Sequence, residues 1–309
     1  MEKSLHDIEN LTRDDLELIL ATSEQFREIS ERRVKKVPTL RGKTICLFFI
    51  ENSTRTRISF ELAAKRMSAD LINFSASTSS LQKGESLTDT VKTIMAMGVD
   101  LFVIRHSAPG SSRRVEQVAG VPVINAGDGP HAHPTQALLD LFTIYRHKKK
   151  IEGLKVAIIG DIYHSRVARS NIFSLTRMGA EVVLCGPPTL IPREIEKLGV
   201  QVTYSVDEAC KMADVIMCLR MQLERQQSGM FPSMREYIQL YRIDEKRVSL
   251  AKDDVIIMHP GPMNRGVEII PEIAYHHRSV IEEQVTNGVA TRMALFYLLL
   301  GRGNEETAD

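Results

Sequence analysis

The sequence predicts an α/β protein with two doubly wound domains, mainly parallel sheets, and a C-terminal helix that packs back on the first domain. Nine short apolar runs rich in Val, Ile and Phe recur along the chain, and longer segments with a 3.6-residue apolar period separate most of them. Continuous apolar strands that alternate with helices are typical of parallel sheets covered on both faces. A length of 309 residues corresponds to about two domains, each large enough to bury a core.

The nine predicted strands fall into two groups, with four before residue 148 and five after it. They lie at 43–50, 70–75, 101–106 and 121–127, and at 155–161, 181–187, 201–205, 215–220 and 255–261. The basic segment 146–155, RHKKKIEGLK, is the clearest change in composition between the groups. We therefore expect a first domain over 1–148 and a second over 149–285.

The same apolar period predicts the helices. The clearest lie at 14–34, 56–67, 86–97, 135–147 and 166–178. Gly179 follows the last of these, at the position where helix ends favour glycine. A final helix at about 286–301 is apolar on most of its faces. Because such a helix must be buried, we expect it to complete the first domain.

Composition and charge exclude several classes of protein. Lys and Arg number 40 against 39 Asp and Glu, so no global charge points to nucleic acid or to disorder. The four cysteines form no CxxC pair and lie mostly in apolar runs, which favours a reducing cytoplasm. The first ten residues, MEKSLHDIEN, lack an apolar core, and no run of about 18 apolar residues occurs. We expect a soluble cytoplasmic protein with no membrane or nucleic-acid partner.

Polar motifs follow six of the predicted strands. ENSTRTR, RHSAPG, GDGPHAHPTQ, GDIYHSR, RMQLER and HPGPMNRG each begin where a strand ends, and each carries Arg or His. In open α/β sheets, ligands bind outside the carboxyl ends of the strands. A single arginine at such a place is usually only solvated or salt-bridged, but six loops of this kind together predict a ligand site.

The most unusual of these loops is ENSTRTR, between the first strand and the helix predicted at 56–67. A hydroxyl at position 53 or 54 can cap that helix, which leaves N–H groups of the first turn available to an anion. An arginine there opposes the helix macrodipole by about 0.3–1 kcal/mol, so Arg55 is explained only by a strong anion such as phosphate or carboxylate. Arg57 is explained equally well as a surface residue that pairs with Glu51 or Glu61.

Four arginines at predicted strand ends are candidates to bind anionic substrates, and Arg225 is a fifth. The four are Arg55, Arg105, Arg166 and Arg220. No Asp or Glu is placed in the sequence to pair with all of them, and buried guanidinium groups without partners are strongly unfavourable. We therefore expect two anionic substrates that meet in a cleft.

Other chemistries fit the motifs less well. IIGDIYHSR stands where a dinucleotide fingerprint would be but lacks GxGxxG, and no GxxxxGK[ST] motif occurs. His131 and His133 are candidate metal ligands, but Asp128 alone does not complete a site. We expect no cofactor and no metal.

Five motifs together resemble a known family. STRTR (53–57), SLQKGES (80–86), HPTQ (133–136), RMQ (220–222) and HPGP (259–262), in this order, are similar to the aspartate/ornithine carbamoyltransferases over nearly the whole chain. The aspartate-using members are the more similar ones. The resemblance implies a carbamoyl-phosphate domain, then an amino-acid domain, and a C-terminal helix that crosses back to the first.

The resemblance implies a set of residues for carbamoyl phosphate. These are Ser53, Thr54, Arg55, Thr56, Arg105, His133, Gln136, Gly261 and Pro262. Residues 53–56 would hold the phosphate, Arg105 would contact both phosphate and carbonyl oxygen, and His133 would bind that oxygen. Gln136 and the backbone at 261–262 would receive the carbamoyl amine. The catalytic residues among them would be Arg55, Thr56, Arg105 and His133.

The resemblance also implies an aspartate site and an assembly. Arg166, Arg220, Gln222 and Lys83 would bind aspartate, with Ser80 and Lys83 supplied by a neighbouring subunit. A site shared in this way makes a homotrimer the smallest working unit. Higher assembly with regulatory chains or with dihydroorotase stays open.

The acceptor is the remaining choice. Ornithine-using members typically carry Cys after the His of the last motif, whereas Pro260 follows His259 here, and Arg166 and Arg220 supply cations for a second carboxylate. The resemblance thus implies carbamoyl transfer to aspartate in de novo pyrimidine biosynthesis, through a tetrahedral intermediate and without a covalent enzyme intermediate. Transfer to ornithine or another amino acid, and a catalytically silent binding or regulatory homologue, are the alternatives. Arg265 departs from the position of an arginine in some members, so we assign it no catalytic role.

Overall fold

The computed structural model describes residues 3–75, 85–222 and 233–301. The chain divides into two compact units, one made of 1–139 with 285–309 and the other of 140–284. The division falls inside two helices, after Leu139 and after Gln284. The domain bounds expected from composition, at 148 and 285, stay a prediction.

Each unit contains one parallel sheet. The strands are β1 Thr44–Phe49, β2 Asp70–Ser75, β3 Leu101–His106, β4 Val123–Asp128, β5 Lys155–Ile159, β6 Glu181–Cys185, β7 Gln201–Thr203, β8 Val215–Cys218 and β9 Ile256–Met258. The α-helices are α1 Arg13–Glu31, α2 Thr54–Arg66, α3 Leu87–Met95, α4 Ser111–Ala119, α5 Pro134–Lys148, α6 Arg166–Arg177, α7 Val206–Cys210, α8 Met234–Tyr241, α9 Glu245–Val248, α10 Pro271–Ala274 and α11 Ile281–Leu300. All nine predicted strands and the parallel α/β class are confirmed.

The first unit has a four-stranded sheet in the order β2-β1-β3-β4, and all of its strand pairs are parallel. Strands β1, β3 and β4 are buried almost throughout, whereas the edge strand β2 is only partly buried. The ring centre of Phe48 lies 4.5 Å from that of Phe74 and 6.1 Å from that of Phe102. The two central strands, β1 and β3, therefore end side by side in a rigid layer.

The C-terminal helix α11 packs on this first unit, as the sequence predicts. Phe296 places its ring centre 5.8 Å from that of Phe60 on α2, and Arg292 donates to the Ser59 hydroxyl at 2.9 Å. Helix α11 is nearly uniformly buried along its second half because its apolar residues face several neighbours at once. The packing buries the apolar residues that lie on most faces of the helix.

The second unit has a five-stranded sheet in the order β7-β6-β5-β8-β9, again with parallel pairs throughout. Helices α6 and α7 contact its strands, and the buried face includes Val183, Ile216 and Ile257. Strands β6 and β7 lie on one side of β5, and β8 and β9 lie on the other, so the strand order reverses between β5 and β8. In an open α/β sheet, such a reversal leaves a crevice at the carboxyl ends of the strands.

Several helix predictions were wrong in detail. Helix α1 ends at Glu31 instead of 34, because Arg32 adopts an extended conformation with ψ 157° and Val34 is 71% exposed. Helix α2 begins at Thr54, two residues before the predicted start. The sequence reading missed α4 and the short helices α7 to α10, most of which are four or five residues long and show too little of a 3.6-residue period. Gly179 does adopt the left-handed conformation, with φ 81°, that its place after α6 predicts.

None of the helices in the described part of the chain is both long enough and apolar enough to cross a membrane.

Candidate active site

The loop between β1 and α2 ends at a helix N-terminus that lacks a side-chain cap. Ser53 occupies the N-cap position, but its side chain makes no capping hydrogen bond. At six other helix starts the side chain does accept from the first turn: Thr12, Ser86, Ser165, Ser205, Ser233 and Asp244. The expectation that position 53 or 54 caps a helix starting near 56 is therefore wrong. The hydroxyl of Ser53 and the first-turn N–H groups belong to one helix N-terminus, which favours a negatively charged ligand.

Side chains in the first turn of α2 differ in their surroundings. Arg55 and Arg57 are exposed, whereas Thr56 is buried. The two glutamates considered as partners of Arg57 both contact other cations: Glu61 bonds Lys65 at 2.6 Å, and Glu51 bonds Arg105.

Arg105 stands at the carboxyl end of β3, directly beside this turn. Its neighbour across the sheet is Phe49, the last residue of β1, and its carbonyl accepts from the N–H groups of Ile50 and Glu51 at 2.8 and 3.1 Å. The guanidinium is buried, and its Nη2 lies 2.6 Å from Oε1 of Glu51. Arg105 thus has a counter-charge within the protein, whereas the sequence predicted that its counter-charge would come from substrate. The pair fixes the direction in which the guanidinium points.

The structure also brings Arg105 and His133 together. Nη1 of Arg105 donates to the carbonyl of Ala126 at 3.0 Å and lies 3.4 Å from Nε2 of His133. Since a guanidinium can only donate, Nε2 of His133 accepts in this contact. His133 precedes α5 and is buried, and Gln136 in the first turn of that helix is half-buried. Residues from β3 and from the start of α5 thus form one cationic and imidazole cluster at the end of the sheet.

In the second unit, Arg166 is the first residue of α6 and is buried. The preceding Ser165 caps the helix by accepting from the N–H of Ala168 at 3.1 Å. Between β5 and α6, the fully buried carboxylate of Asp161 contacts Nδ1 of His164 at 2.9 Å and accepts from its backbone N–H at 3.2 Å. These bonds fold the GDIYHSR segment into a fixed turn that presents Arg166 at the carboxyl end of the strand.

Gln222 is tied to that same turn. Its N–H lies 3.4 Å from Oδ2 of Asp161, and its Nε2 donates to the carbonyl of His164 at 3.1 Å. Strand β8, which precedes it, is the parallel neighbour of β5, and Arg220 lies half-buried just after this strand. Two motifs that are far apart in the sequence therefore meet at adjacent strand ends, as the strand-end argument predicts.

The HPGP motif follows β9, the next strand along the sheet. Gly261 has a positive φ of 62°, and the Gly261–Pro262 peptide bond is cis. Nδ2 of Asn264 donates to the carbonyl of Met221 at 3.2 Å. The Gly261–Pro262 turn therefore lies next to the segment that carries Arg220 and Gln222.

Some of the predicted residues lie outside the described part of the chain. They are Ser80, Lys83 and Arg225. The sequence reading in turn missed Glu51, Asp161 and His164, which hold predicted site residues in place. The signal for Asp161 was present: an acidic residue directly after a buried strand and a glycine, in a motif that already stood out.

The described residues hold no group of three or more His, Cys, Asp or Glu side chains placed to bind a metal ion. His131, one of the two candidates from the sequence, contacts Asp128 at 3.0 Å. That carboxylate also accepts from the N–H groups of Gly110 and Ala132, so it organises the loop in which it lies.

Comparison with known proteins identifies the family of the chain. The family model "Aspartate/ornithine carbamoyltransferase, carbamoyl-P binding domain" matches residues 3–146, and "Aspartate/ornithine carbamoyltransferase, Asp/Orn binding domain" matches residues 152–299. The chain belongs to the aspartate/ornithine carbamoyltransferase family. The family predicted from the five motifs is thereby confirmed.

Individual carbamoyltransferases resemble the chain over nearly its full length. The aspartate carbamoyltransferase catalytic subunit of Desulforamulus reducens is 57% identical, over 97% of this chain and 96% of that protein. The crystal structure of aspartate transcarbamoylase from Trypanosoma cruzi in complex with carbamoyl phosphate and aspartate is 30% identical, with a TM-score of 0.86 and 96% of both chains covered. Ornithine carbamoyltransferase from Pyrococcus furiosus is 28% identical, with a TM-score of 0.85, and the match covers 96% of this chain and 97% of that one.

Proposed function

We propose that this carbamoyltransferase transfers the carbamoyl group of carbamoyl phosphate to the α-amino group of L-aspartate, giving N-carbamoyl-L-aspartate and inorganic phosphate. The observation that carries the proposal is the contact between Arg105 and His133 beside the start of α2. It gathers a cation, an imidazole and a helix N-terminus at one sheet end, which suits a phosphate joined to a polarised carbonyl. The 57% identity to an aspartate carbamoyltransferase catalytic subunit supports aspartate as the acceptor.

The first unit would bind carbamoyl phosphate. Residues Ser53 to Thr56 would hold the phosphate through hydroxyl groups, first-turn N–H groups and the guanidinium of Arg55. Arg105 would bind the carbonyl oxygen, on which negative charge develops as the carbon becomes tetrahedral. His133 would donate an N–H to the same oxygen, which requires that its Nε2 no longer accepts from Arg105 when substrate is bound. Gln136 would bind the carbamoyl amine.

The second unit would bind the acceptor. Arg166 and Arg220 would each pair with a carboxylate of aspartate, and Gln222 would add an amide hydrogen bond. The hydrogen bonds that Gln222 donates to Asp161 and to the His164 carbonyl support this role because they fix the position of Gln222 before substrate arrives. The backbone of Gly261 and Pro262 would receive the carbamoyl amine.

The reaction needs no nucleophile from the protein. The lone pair of the neutral α-amino group forms a bond to the carbonyl carbon, and Thr56, Arg105 and His133 stabilise the oxyanion of the tetrahedral intermediate. When the intermediate collapses, the carbon–oxygen bond to phosphate breaks, and phosphate leaves with the electron pair. The amine loses one proton, and the departing phosphate is a suitable acceptor for it. Catalysis would consist of positioning and preorganised charge.

The working enzyme would be a cytoplasmic homotrimer in de novo pyrimidine biosynthesis. Ser80 and Lys83 of one subunit would complete the aspartate site of the next, so that each active site is shared. Regulatory chains or a dihydroorotase would be further partners of the trimer.

Product identification tests the proposal. Purified protein with carbamoyl phosphate and aspartate should release N-carbamoyl-L-aspartate and phosphate in equal amounts, whereas ornithine in place of aspartate should give no citrulline. Citrulline as the main product would show that the acceptor is ornithine and not aspartate. Absence of any carbamoylated product, together with tight binding of N-(phosphonacetyl)-L-aspartate, would instead favour a silent binding homologue.

A further inference from the structure

A buried acidic residue in contact with the HPGP motif has no role in the mechanism described above. Glu268 is 2% exposed, and it lies at the end of the loop that follows β9. Burying an ionised carboxylate is costly unless hydrogen bonds compensate for the lost water. Its Oε1 accepts from two donors, Nε2 of His259 at 3.0 Å and the backbone N–H of Asn264 at 2.6 Å.

The tautomer of His259 follows from its contacts. The N–H of Gly261 donates to Nδ1 of His259 at 2.8 Å, so this nitrogen carries the lone pair. The proton is therefore on Nε2, from which it points at Glu268. His259 is itself 2% exposed, and its own N–H donates to Oε1 of Gln284 at 2.9 Å. The imidazole is thus a rigid bridge between the carboxylate and the N–H of Gly261.

Glu268 consequently holds the Gly261–Pro262 turn from both sides. It reaches Gly261 through His259, and it bonds directly to the N–H of Asn264, two residues after Pro262. Asn264 in turn donates from its side chain to the carbonyl of Met221, next to Gln222. One carboxylate oxygen therefore organises the two loops that follow β8 and β9.

We infer that Glu268 is a positioning residue for carbamoyl transfer, which rests on the function proposed above. It aims the backbone carbonyls at 261 and 262 toward the carbamoyl amine, and through Asn264 it holds the segment of Gln222. Misplacing a catalytic group by about 1 Å can cost about 100-fold in rate. Loss of the carboxylate should therefore slow the reaction although Glu268 itself touches no substrate.

Three variants test the inference. In Glu268→Ala, both donors lose their acceptor, and we expect kcat/KM for aspartate to fall at least tenfold, with kcat accounting for the larger part. Glu268→Gln keeps an acceptor oxygen at the same place, so its kcat/KM should stay within about threefold of wild type. Asp214→Ala is the matched control, because Asp214 is a buried carboxylate of the same unit that accepts the N–H of Lys155 at 2.9 Å, but at the amino end of β8. It should lower Tm and leave kcat/KM within about twofold.

Two results would contradict the inference. One is a folded Glu268→Ala protein whose kcat is within threefold of wild type, and the other is an equal loss of kcat in the Gln and Ala variants. If Glu268→Ala does not fold, Asn264→Ala decides, because it removes only the bond to the Met221 carbonyl at a half-buried position. We expect a KM for aspartate at least threefold higher in that variant, and an unchanged KM would overturn the inference. A wild-type protein that makes no carbamoyl aspartate in the same assay would refute the proposed function instead, which separates the two failures.

Discussion

Arg55 and Arg57 are the two cations of one helix turn, and their places in α2 separate their roles. Two residues along an α-helix correspond to a rotation of about 200°, so the side chains point to nearly opposite faces. Only one of them can share a ligand with the hydroxyl of Ser53. Because Arg55 lies in the first turn of α2, two residues after Ser53, we expect Arg55 to bind the anion and Arg57 to be scaffold.

This division predicts unequal effects of two matched substitutions. Losing a charged partner of a desolvated anion costs about 2–5 kcal/mol, so Arg55→Ala should lower kcat/KM by about 30-fold to several thousand-fold. Arg57 is also exposed and lies on the same helix, and Arg57→Ala should change kcat/KM by less than about threefold. Steady-state assays with carbamoyl phosphate as the varied substrate measure both. A loss under threefold in Arg55→Ala would remove Arg55 from the site.

The buried cysteines give the protein a defined response to alkaline pH. Burial raises the pKa of the thiols of Cys46, Cys185 and Cys210 from 9.0 to about 12. Between these values the unfolded chain has lost the thiol protons while the folded chain keeps them, so stability falls as pH rises from about 9 to about 12. Each thiol contributes up to about 1.4 kcal/mol per pH unit in that window.

Cys46→Ala should make the decline less steep. Cys46 is fully buried in β1, so the substitution lowers stability by a constant amount at every pH and also removes one titrating thiol. Urea unfolding at several pH values between 8.5 and 10.5 should show a slope that is shallower by about 1.4 kcal/mol per pH unit at the upper end. Parallel curves for wild type and variant would contradict the assignment of the slope to buried thiols.

At the scale of elements, the sequence was informative wherever burial is continuous. Seven of the nine strands are almost continuously buried and follow from runs of apolar residues, whereas the edge strands β2 and β7 are only partly buried. The long helices follow from their 3.6-residue period. Helix α4 was missed because its segment, SSRRVEQVA, buries two serines and a single valine. The strand-end arginines were also predictable, since parallel strands end at one edge. Their partners Glu51 and Asp161 were not, because such pairs depend on register and loop conformation rather than on local pattern.

A buried chain of hydrogen bonds joins residues of α5, α6 and α11 that belong to the second unit. Asp140 on α5 is fully buried and accepts from Nδ2 of Asn171 on α6 at 2.9 Å and from Nε2 of Gln284 on α11 at 2.8 Å. Gln284 continues to the N–H of His259 after β9. The helix that begins with Arg166 is thereby connected to the HPGP loop through buried polar groups.

Asp140→Ala should destabilise the protein by about 1–3 kcal/mol for each buried donor that it leaves unpaired. Thermal or urea unfolding measures the loss. Glu17→Ala is the control, because the side chains of Glu17 and of its ion-pair partner Arg13 are 53% and 49% exposed, so this pair is of the surface kind. That variant should stay within about 0.5 kcal/mol of wild type. Equal stability of the two variants would show that the buried chain of hydrogen bonds does not stabilise the fold.

At the scale of the whole molecule, the proposed shared site makes a quantitative prediction about mixed trimers. If Arg55 acts in its own subunit and Lys83 in the neighbouring site, every trimer that contains both Arg55→Ala and Lys83→Ala subunits has one junction where both residues are intact. Random assembly from equal amounts gives about three-quarters mixed trimers, each with one of three sites restored. Refolding the two inactive proteins together should therefore recover about a quarter of wild-type activity.

The control is a mixture of Arg55→Ala with Arg105→Ala. Both residues belong to the same first unit, so no junction regains a complete site and the mixture should stay inactive. Recovery in the first mixture and not in the second places Lys83 across a subunit boundary, whereas two inactive mixtures would confine each active site to a single chain.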